Sequence, residues 1–340
     1  MSDLIVGVDV SQDKLDVAFT CELEKISVDL GTFANTSKGH KKLAKKIEAE
    51  IKKKNTNKIR LIIEPSGGYE QPLARFAINS QWIVCMVNPF KVRKWAESEG
   101  IRAKTDSMDA RLLANFARSK PSLPEWTPLP DNITNLDELL KRREELEQSL
   151  RREKNRLHAL KAKSEFKNAA TESIERSITW LQDEIQRITN DINQFLKEDT
   201  GLNKQVNDLK KIPGIGDKNS PFILGLMHRW NHLTKGQGSN KAITAYVGLD
   251  PVPCASGSSL QRHEAISRKG NSTLRKYLYL GALGGVRGNN YLSVFYNRLT
   301  SRGKKSKVAL IAAARKILIW AWATFRSGNS FDCSRFVTSS

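Results

Sequence analysis

Four acidic side chains could do chemistry together: Asp9 within Gly7-Val8-Asp9-Val10-Ser11, Glu64 within Ile62-Ile63-Glu64-Pro65, and the pair Asp106 and Asp109 within Lys104-Thr105-Asp106-Ser107-Met108-Asp109-Ala110. Asp9 and Glu64 each close a short apolar, β-branched run, so both stand where a strand ends. Asp106 and Asp109 are three apart at the start of an expected helix and project from one side of its first turn. Carboxylates gathered from neighbouring elements suit phosphodiester displacement. That reaction uses two divalent cations about 3.5–4 Å apart to stabilise the attacking and leaving oxygens, and hard cations take oxygen ligands. Each acid also has an ordinary reading: Asp9 as a turn or cap, Asp106 as a helix N-cap, Asp109 as an acid favoured by the helix dipole, Glu64 as a surface residue. Jointly, acids at two strand ends plus an acidic pair on a helix start point to a metal site.

A second group lies far downstream. Tyr246-Val247-Gly248-Leu249-Asp250-Pro251 leads into Ala255-Ser256-Gly257-Ser258-Ser259, and then into Ile266-Ser267-Arg268-Lys269-Gly270-Asn271 and Leu274-Arg275. A serine hydroxyl becomes a nucleophile only beside a base or a polarised phosphorus, with cations to hold the developing charge. Arg268, Lys269 and Arg275 are placed to supply that charge, with Asn271 beside them, although composition alone also describes a flexible polar loop. Upstream, Lys211-Ile212-Pro213-Gly214-Ile215-Gly216 reads equally as a helix-hairpin-helix turn, whose glycines let backbone N–H groups approach a phosphate, or as an ordinary Pro-Gly turn. His228 and His232 are four apart on an expected helix, but no HExxH glutamate or cysteine partner accompanies them, so structural or phosphate-contact roles are expected and no zinc site.

The elements that must position these groups follow from periodicity. Leu4–Val10 and Leu15–Thr20 read as a hairpin, Lys38–Lys54 as a helix, Ile59–Ile63 as a buried strand ending at Glu64 beside a mobile glycine turn, Pro72–Asn79 as a helix, Trp82–Val87 as a strand and Asp106–Arg118 as a helix. A mixed sheet with flanking helices fits. Pro121, Pro124, Pro128 and Pro130 break regular structure and mark a linker. Beyond it, Leu139, Leu146, Leu150, Leu157 and Leu160 keep near-heptad spacing. Ile174, Ile178, Leu181, Ile185, Ile188, Ile192 and Phe195 then alternate steps of four and three, the seam of a coiled coil. The two helices are expected to pair as an antiparallel hairpin, with the seam closing within one chain or between chains.

Charge identifies the partner class. The chain of 340 residues carries a formal +20, and residues 201–340 hold 22 Lys and Arg against 5 Asp and Glu. So lopsided a ratio suits a nucleic-acid backbone, with a membrane surface as the weaker rival. The four cysteines are scattered, without CxxC spacing, as in a reducing cytosol. The N-terminus reads as a strand rather than a signal peptide. The apolar stretch Val308–Phe325 carries Arg315 and Lys316 at its middle, so it is read as a core helix rather than a membrane span.

The order of Gly7-Val8-Asp9, Glu64-Pro65-Ser66-Gly67-Gly68-Tyr69 and Lys104-Thr105-Asp106-Ser107-Met108-Asp109-Ala110 resembles the RuvC-like DEDD domain of the insertion-sequence family numbered 110, which includes the Piv-type DNA invertases. The Tyr-x-Gly-Leu-x-Pro, Ser-Gly and Arg-Lys-Gly-Asn segments resemble that family's transposase domain. The resemblance implies an α/β RNase H-like fold at the N-terminus, a helical coiled-coil hairpin and a mainly α C-terminal domain. The boundaries expected are 1–122 for the catalytic domain, 123–132 for the linker, 133–200 for the hairpin and 201–336 for the basic domain. It further implies metal-ligand roles for Asp9, Glu64, Asp106 and Asp109, served by Mg²⁺ with Mn²⁺ as a substitute. Ser256 matches the family's nucleophile, with Ser258 and Ser259 close enough to leave the choice open. Lys211, Gly214, Gly216, Arg268, Lys269, Asn271 and Arg275 are the expected nucleic-acid contacts. Donor and target DNA, a structured guide RNA and further copies of the chain are the expected partners, in the cytoplasm. The rival expectations are a junction-resolving nuclease that activates water at the same acids, and a non-enzymatic nucleic-acid-binding protein.

Overall fold

A computed structural model describes residues 3–21, 27–54, 56, 58–101, 106–120, 122–162, 168–252 and 265–332, and only the backbone of 106–108. The chain forms two compact units, Met1–Pro128 and Leu129–Ser340.

The first unit is built on a five-stranded sheet of β1 (Leu4–Val10), β2 (Lys14–Cys21), β3 (Val28–Ala34), β4 (Ile59–Ile63) and β5 (Ile83–Met86), in the order β3-β2-β1-β4-β5. β1 and β2 form the expected antiparallel hairpin, β3 extends it antiparallel, and β4 and β5 continue it parallel on the other side of β1. β1 is therefore central, and its nearly unbroken apolar sequence is what a strand covered on both faces requires. One face carries Leu4, Val6, Val8, Leu61 and Ile63 against Leu43 and Ile47 of α1 (Ser37–Lys54) and Leu73, Ala74 and Ala77 of α2 (Gln71–Asn79). The other carries Ile5, Ile62 and Cys85 against Val92 of α3 (Pro89–Ser98) and Leu113, Ala114 and Ala117 of α4 (Asp106–Ser119). β3 and α3 are additions to the elements read from the sequence. β3 is an edge strand with a mostly exposed, part-polar surface, and α3 buries only Val92 and Ala96, so neither leaves a strong periodic signal.

The second unit is helical: α5 (Asp131–Lys161), α6 (Ala169–Glu198), α7 (Thr200–Lys210), α8 (Ser220–Thr234), α9 (Asn240–Val247), α10 (Ser272–Gly285), α11 (Tyr291–Ser301) and α12 (Ser306–Ser327), with a two-stranded ribbon of β6 (Pro251–Val252) and β7 (Ala265–Ile266). α5 and α6 run antiparallel. At the base Ile133, Leu136, Leu140, Ile192 and Leu196 join the unit's core, and near the tip Lys161 bonds Glu175 at 2.9 Å. With 31 residues α5 rises roughly 45 Å. Glu147, midway along α5, ties the hairpin to α10 by accepting from the Tyr277 hydroxyl at 3.3 Å and from Lys276 at 3.3 Å, while Phe222 and Tyr277 stack at 4.2 Å. Among the described residues α12 alone has the length and apolarity to cross a membrane, but it serves as a core helix, with Leu310, Ala313, Ala314, Ile317, Leu318 and Trp322 buried.

Candidate active site

Register places the acids of the first unit. In the parallel β1–β4 pair, Gly7 faces Ile62 and Val8 faces Ile63, so Asp9 and Glu64 follow directly at the carboxyl ends of adjacent strands and project to the same side as Ile5 and Ile62. Open α/β sheets commonly place their sites at such strand ends. That side is the one covered by α4, whose first turn carries Asp109. The approach is close because Gly7 has no side chain: a Cβ there would lie 2.2 Å from the Ala110 carbonyl oxygen and 2.6 Å from the Ala114 nitrogen. A glycine inside a strand is the sequence signal for such backbone contact. It brings the first turn of α4 down onto the end of β1.

Electrostatics shows the same gathering. The Glu64 carboxyl is pushed above its ordinary pKa, first by burial and then by the negative charges of Asp109 and Asp9, while Arg93 of α3 opposes the shift. Asp9 and Glu64 are half-buried and Asp109 is exposed. Among the described residues no three His, Cys, Asp or Glu side chains stand close enough to form a ready-made ion cage. The Asp106 side chain lies outside the described residues. The donor set still fits a hard divalent cation. Its donors are carboxylate oxygens on one face at strand ends, and their like charges already raise Glu64, a cost a cation would relieve.

The turn after Glu64 departs from the expected mobile glycine turn. Gly67 and Gly68 do take the positive φ of 78° and 113° that glycine permits, but the buried Glu70 holds them. Its Oε2 accepts from the Ser66 N–H at 2.9 Å, the Gly68 N–H at 2.9 Å and the Ser66 hydroxyl at 3.0 Å. Burial would raise its pKa, but these donors outweigh it and leave the carboxylate below its ordinary range. Gly7, Glu70 and Arg93 were missed as site residues. Arg93 could have been found through Asn88-Pro89, where Asn88 caps the Phe90 N–H and proline opens α3.

In the second unit Ser256, Ser258 and Ser259 lie outside the described residues. The chain on either side of them is joined, because β6 pairs antiparallel with β7 through Pro251↔Ile266 and Val252↔Ala265. The expected contacts divide by what they touch. Arg275 donates from Nη1 to the Val247 carbonyl at 3.0 Å and the Gly270 carbonyl at 2.5 Å, which staples the loop. Asn271 accepts from Thr273 N–H and Leu274 N–H as the N-cap of α10. Gly214 packs against α10, where a Cβ would meet the Gly281 carbonyl oxygen at 2.5 Å, and the Gly216 N–H donates to Asn219 Oδ1 at 2.7 Å. Lys211 bonds the Ser330 hydroxyl at 2.7 Å. Arg268 and Lys269 are exposed beside the ribbon, with Arg268 at φ 55°. His228 is a packing residue: its Nε2 lies 2.8 Å from Gln205 Oε1, its ring meets Phe325 edge-on, and burial pushes its pKa down to about 4.

Carboxylates sharing one face at strand ends, in a chain whose second unit is strongly basic, suit an enzyme that acts on nucleic-acid backbones. Residues 6–161 match a transposase family model of the DEDD type of IS110, and residues 206–297 match the model described as the transposase IS116/IS110/IS902 family. The pilin gene-inverting proteins of Moraxella lacunata and Moraxella bovis are each 32% identical over 338 residues, covering 98% of this chain and 98% of theirs. An uncharacterized 43.6 kDa protein of insertion element IS110 from Streptomyces coelicolor is 27% identical over 128 residues, 36% of this chain and 29% of its own. The chain belongs to the IS110 family of transposases and recombinases and is an enzyme of DNA recombination. DNA is therefore a partner, and DEDD membership points to a divalent metal.

Proposed function

We propose that this enzyme exchanges DNA strands through a covalent Ser256–DNA intermediate, with Mg²⁺ held by Asp9, Glu64, Asp106 and Asp109. The observation that carries the reading is the shared face of Asp9, Glu64 and Asp109, where burial first, and then the charges of Asp109 and Asp9 against the pull of Arg93, raise the Glu64 carboxyl. Bound there, the cation supplies Lewis-acid stabilisation of charge on phosphate oxygens. The Ser256 oxygen attacks phosphorus, its proton passes to solvent or a carboxylate, and a deoxyribose oxygen leaves. One phosphodiester is thereby replaced by a phosphoserine ester. Attack by a deoxyribose hydroxyl of the other strand then releases the serine and restores the DNA bond, so exchange conserves the number of ester bonds. Arg268 and Lys269 are suited to hold the phosphate backbone.

The finer architecture belongs to the same reading. The first unit is an RNase H-like, RuvC-like catalytic domain over 1–122, a reading supported by an antiparallel β1–β3 meander continued by parallel β4 and β5. After the linker of 123–132, the hairpin over 133–200 is a coiled-coil arm joining copies of the chain. Support comes from Ile178, Ile185 and Ile188 of its seam, which remain only half-buried within one chain. The basic domain over 201–336 holds DNA and a structured guide RNA in the cytoplasm, and pairing rather than side chains selects the sites. The Moraxella proteins are named for inverting a pilin gene, and by that likeness the reaction here joins two specific sites.

The test is to incubate labelled donor DNA with enzyme, guide RNA and Mg²⁺, denature, and look for label on protein. Ser256→Ala should abolish the adduct while Ser258→Ala and Ser259→Ala retain it. An adduct surviving in Ser256→Ala overturns the assignment. Cleavage by the wild-type enzyme to free 5′-phosphate ends without any adduct would establish the water-activating nuclease instead.

A further inference from the structure

The β1–β4 ladder runs from Leu4↔Ile59 to Val8↔Ile63, so Asp9 and Glu64 stand one position past its last pair. Beyond them a different tie joins the two strand ends. Asn35, just after β3, donates from Nδ2 to the Ser11 carbonyl at 3.0 Å and to the Tyr69 carbonyl at 3.0 Å. Ser11 follows Asp9 by two residues, and Tyr69 closes the turn that begins at Glu64. Both acceptors are carbonyls, so the amide nitrogen must face them and Oδ1 must face His40, whose Nε2 lies 2.9 Å away and carries the proton.

His40 is 3% exposed, and burial lowers its pKa, which favours the neutral ring. Its position depends on Gly39, where a Cβ would come within 1.9 Å of the Ala34 carbonyl oxygen, so only glycine lets α1 start this tightly under the end of β3. Glu70 rigidifies the far side by fastening Ser66 and Gly68, and the Tyr69 hydroxyl reaches Gln12 Oε1 at 3.5 Å. Asn35 thus bridges the segments that follow the two acids, at the point where strand pairing no longer does.

We propose that Asn35, oriented by His40, is a positioning residue that sets the separation of Asp9 and Glu64 and thereby the affinity of their site for a divalent cation. The proposal rests on the metal-site reading above. Partners that orient metal ligands typically change metal affinity by roughly 10- to 100-fold when removed.

The test is an Mn²⁺ titration of the full-length protein, with free ion read by electron paramagnetic resonance. It uses variants that retain native circular dichroism and melt above the assay temperature. Asn35→Ala and Asn35→Asp, which remove the donors, should weaken Mn²⁺ binding at least about tenfold. DNA cleavage should fall at low Mn²⁺ and recover at saturating Mn²⁺, a rescue that general loss of structure would not give. His40→Leu should behave likewise, and His40→Gln, which keeps a donor, should stay near wild type. Unchanged Mn²⁺ affinity in folded Asn35→Asp and His40→Leu overturns the proposal, even where Asn35→Ala fails to fold. Asp9→Asn separates the two levels. If it binds Mn²⁺ like wild type, the metal-site reading fails; if it loses binding while the Asn35 variants do not, only the clamp fails.

Discussion

Replacing Gly7 by alanine tests whether the contact of α4 with β1 aligns the acids. The added Cβ would sit 2.2 Å from the Ala110 carbonyl oxygen, 2.6 Å from the Ala114 nitrogen and 3.1 Å from the Leu113 Cβ. Carbon–oxygen contacts settle at roughly 3.3 Å or more, so the helix must withdraw by about 1 Å. Two of the three neighbours are backbone atoms, so no rotamer change relieves the clash. Overpacking of this kind costs about 1–3 kcal/mol. A 1 Å displacement of a catalytic group costs about 100-fold in rate. The control is Val6→Ala, on the same strand but facing α1 and α2. It should lose a comparable amount, about 2 kcal/mol, without moving α4. Urea unfolding and single-turnover cleavage of donor DNA should then separate the pair: both variants less stable, only Gly7→Ala slow at conditions where both are folded. Wild-type cleavage by folded Gly7→Ala, or equal loss in Val6→Ala, would refute the alignment argument.

Two further outcomes are expected. If Arg268 and Lys269 each meet a phosphate, the double alanine variant should lower the slope of log DNA affinity against log salt by about 1.8, and an unchanged slope in filter binding would exclude the contact. His228 is held neutral in the fold with its pKa lowered to about 4 from 6.5. The unfolded chain therefore takes up a proton first as pH falls, and stability declines from pH 6.5 to about 4, by about 2 kcal/mol after allowing for partial solvent contact. His228→Gln should remove that part of the slope in urea titrations, and a variant whose pH dependence matches wild type would show that His228 is not responsible.

Local pattern determined much of this protein. The unbroken apolar runs of β1 and β4, buried on both faces, and the apolar stripe of α4 are written in consecutive residues, and the ends of those runs placed Asp9 and Glu64 at strand ends. The charge imbalance indicated a nucleic-acid partner, and family membership makes that partner DNA. Arg275 and Asn271 show what such reading leaves out, since as residue types they suit phosphate, and the fold also has one staple carbonyls and the other cap α10. β3 and α3 bury too few side chains to mark themselves, and with them Asn35 and Arg93 went unseen. Only the tertiary structure joins Asn35 to Ser11 and Tyr69, rests α4 on Gly7 and folds Glu70 under the Gly67-Gly68 turn. Periodicity records which face of an element is buried. A hydrogen bond to a carbonyl dozens of residues away depends on where two elements meet, and no short window of sequence contains that distance.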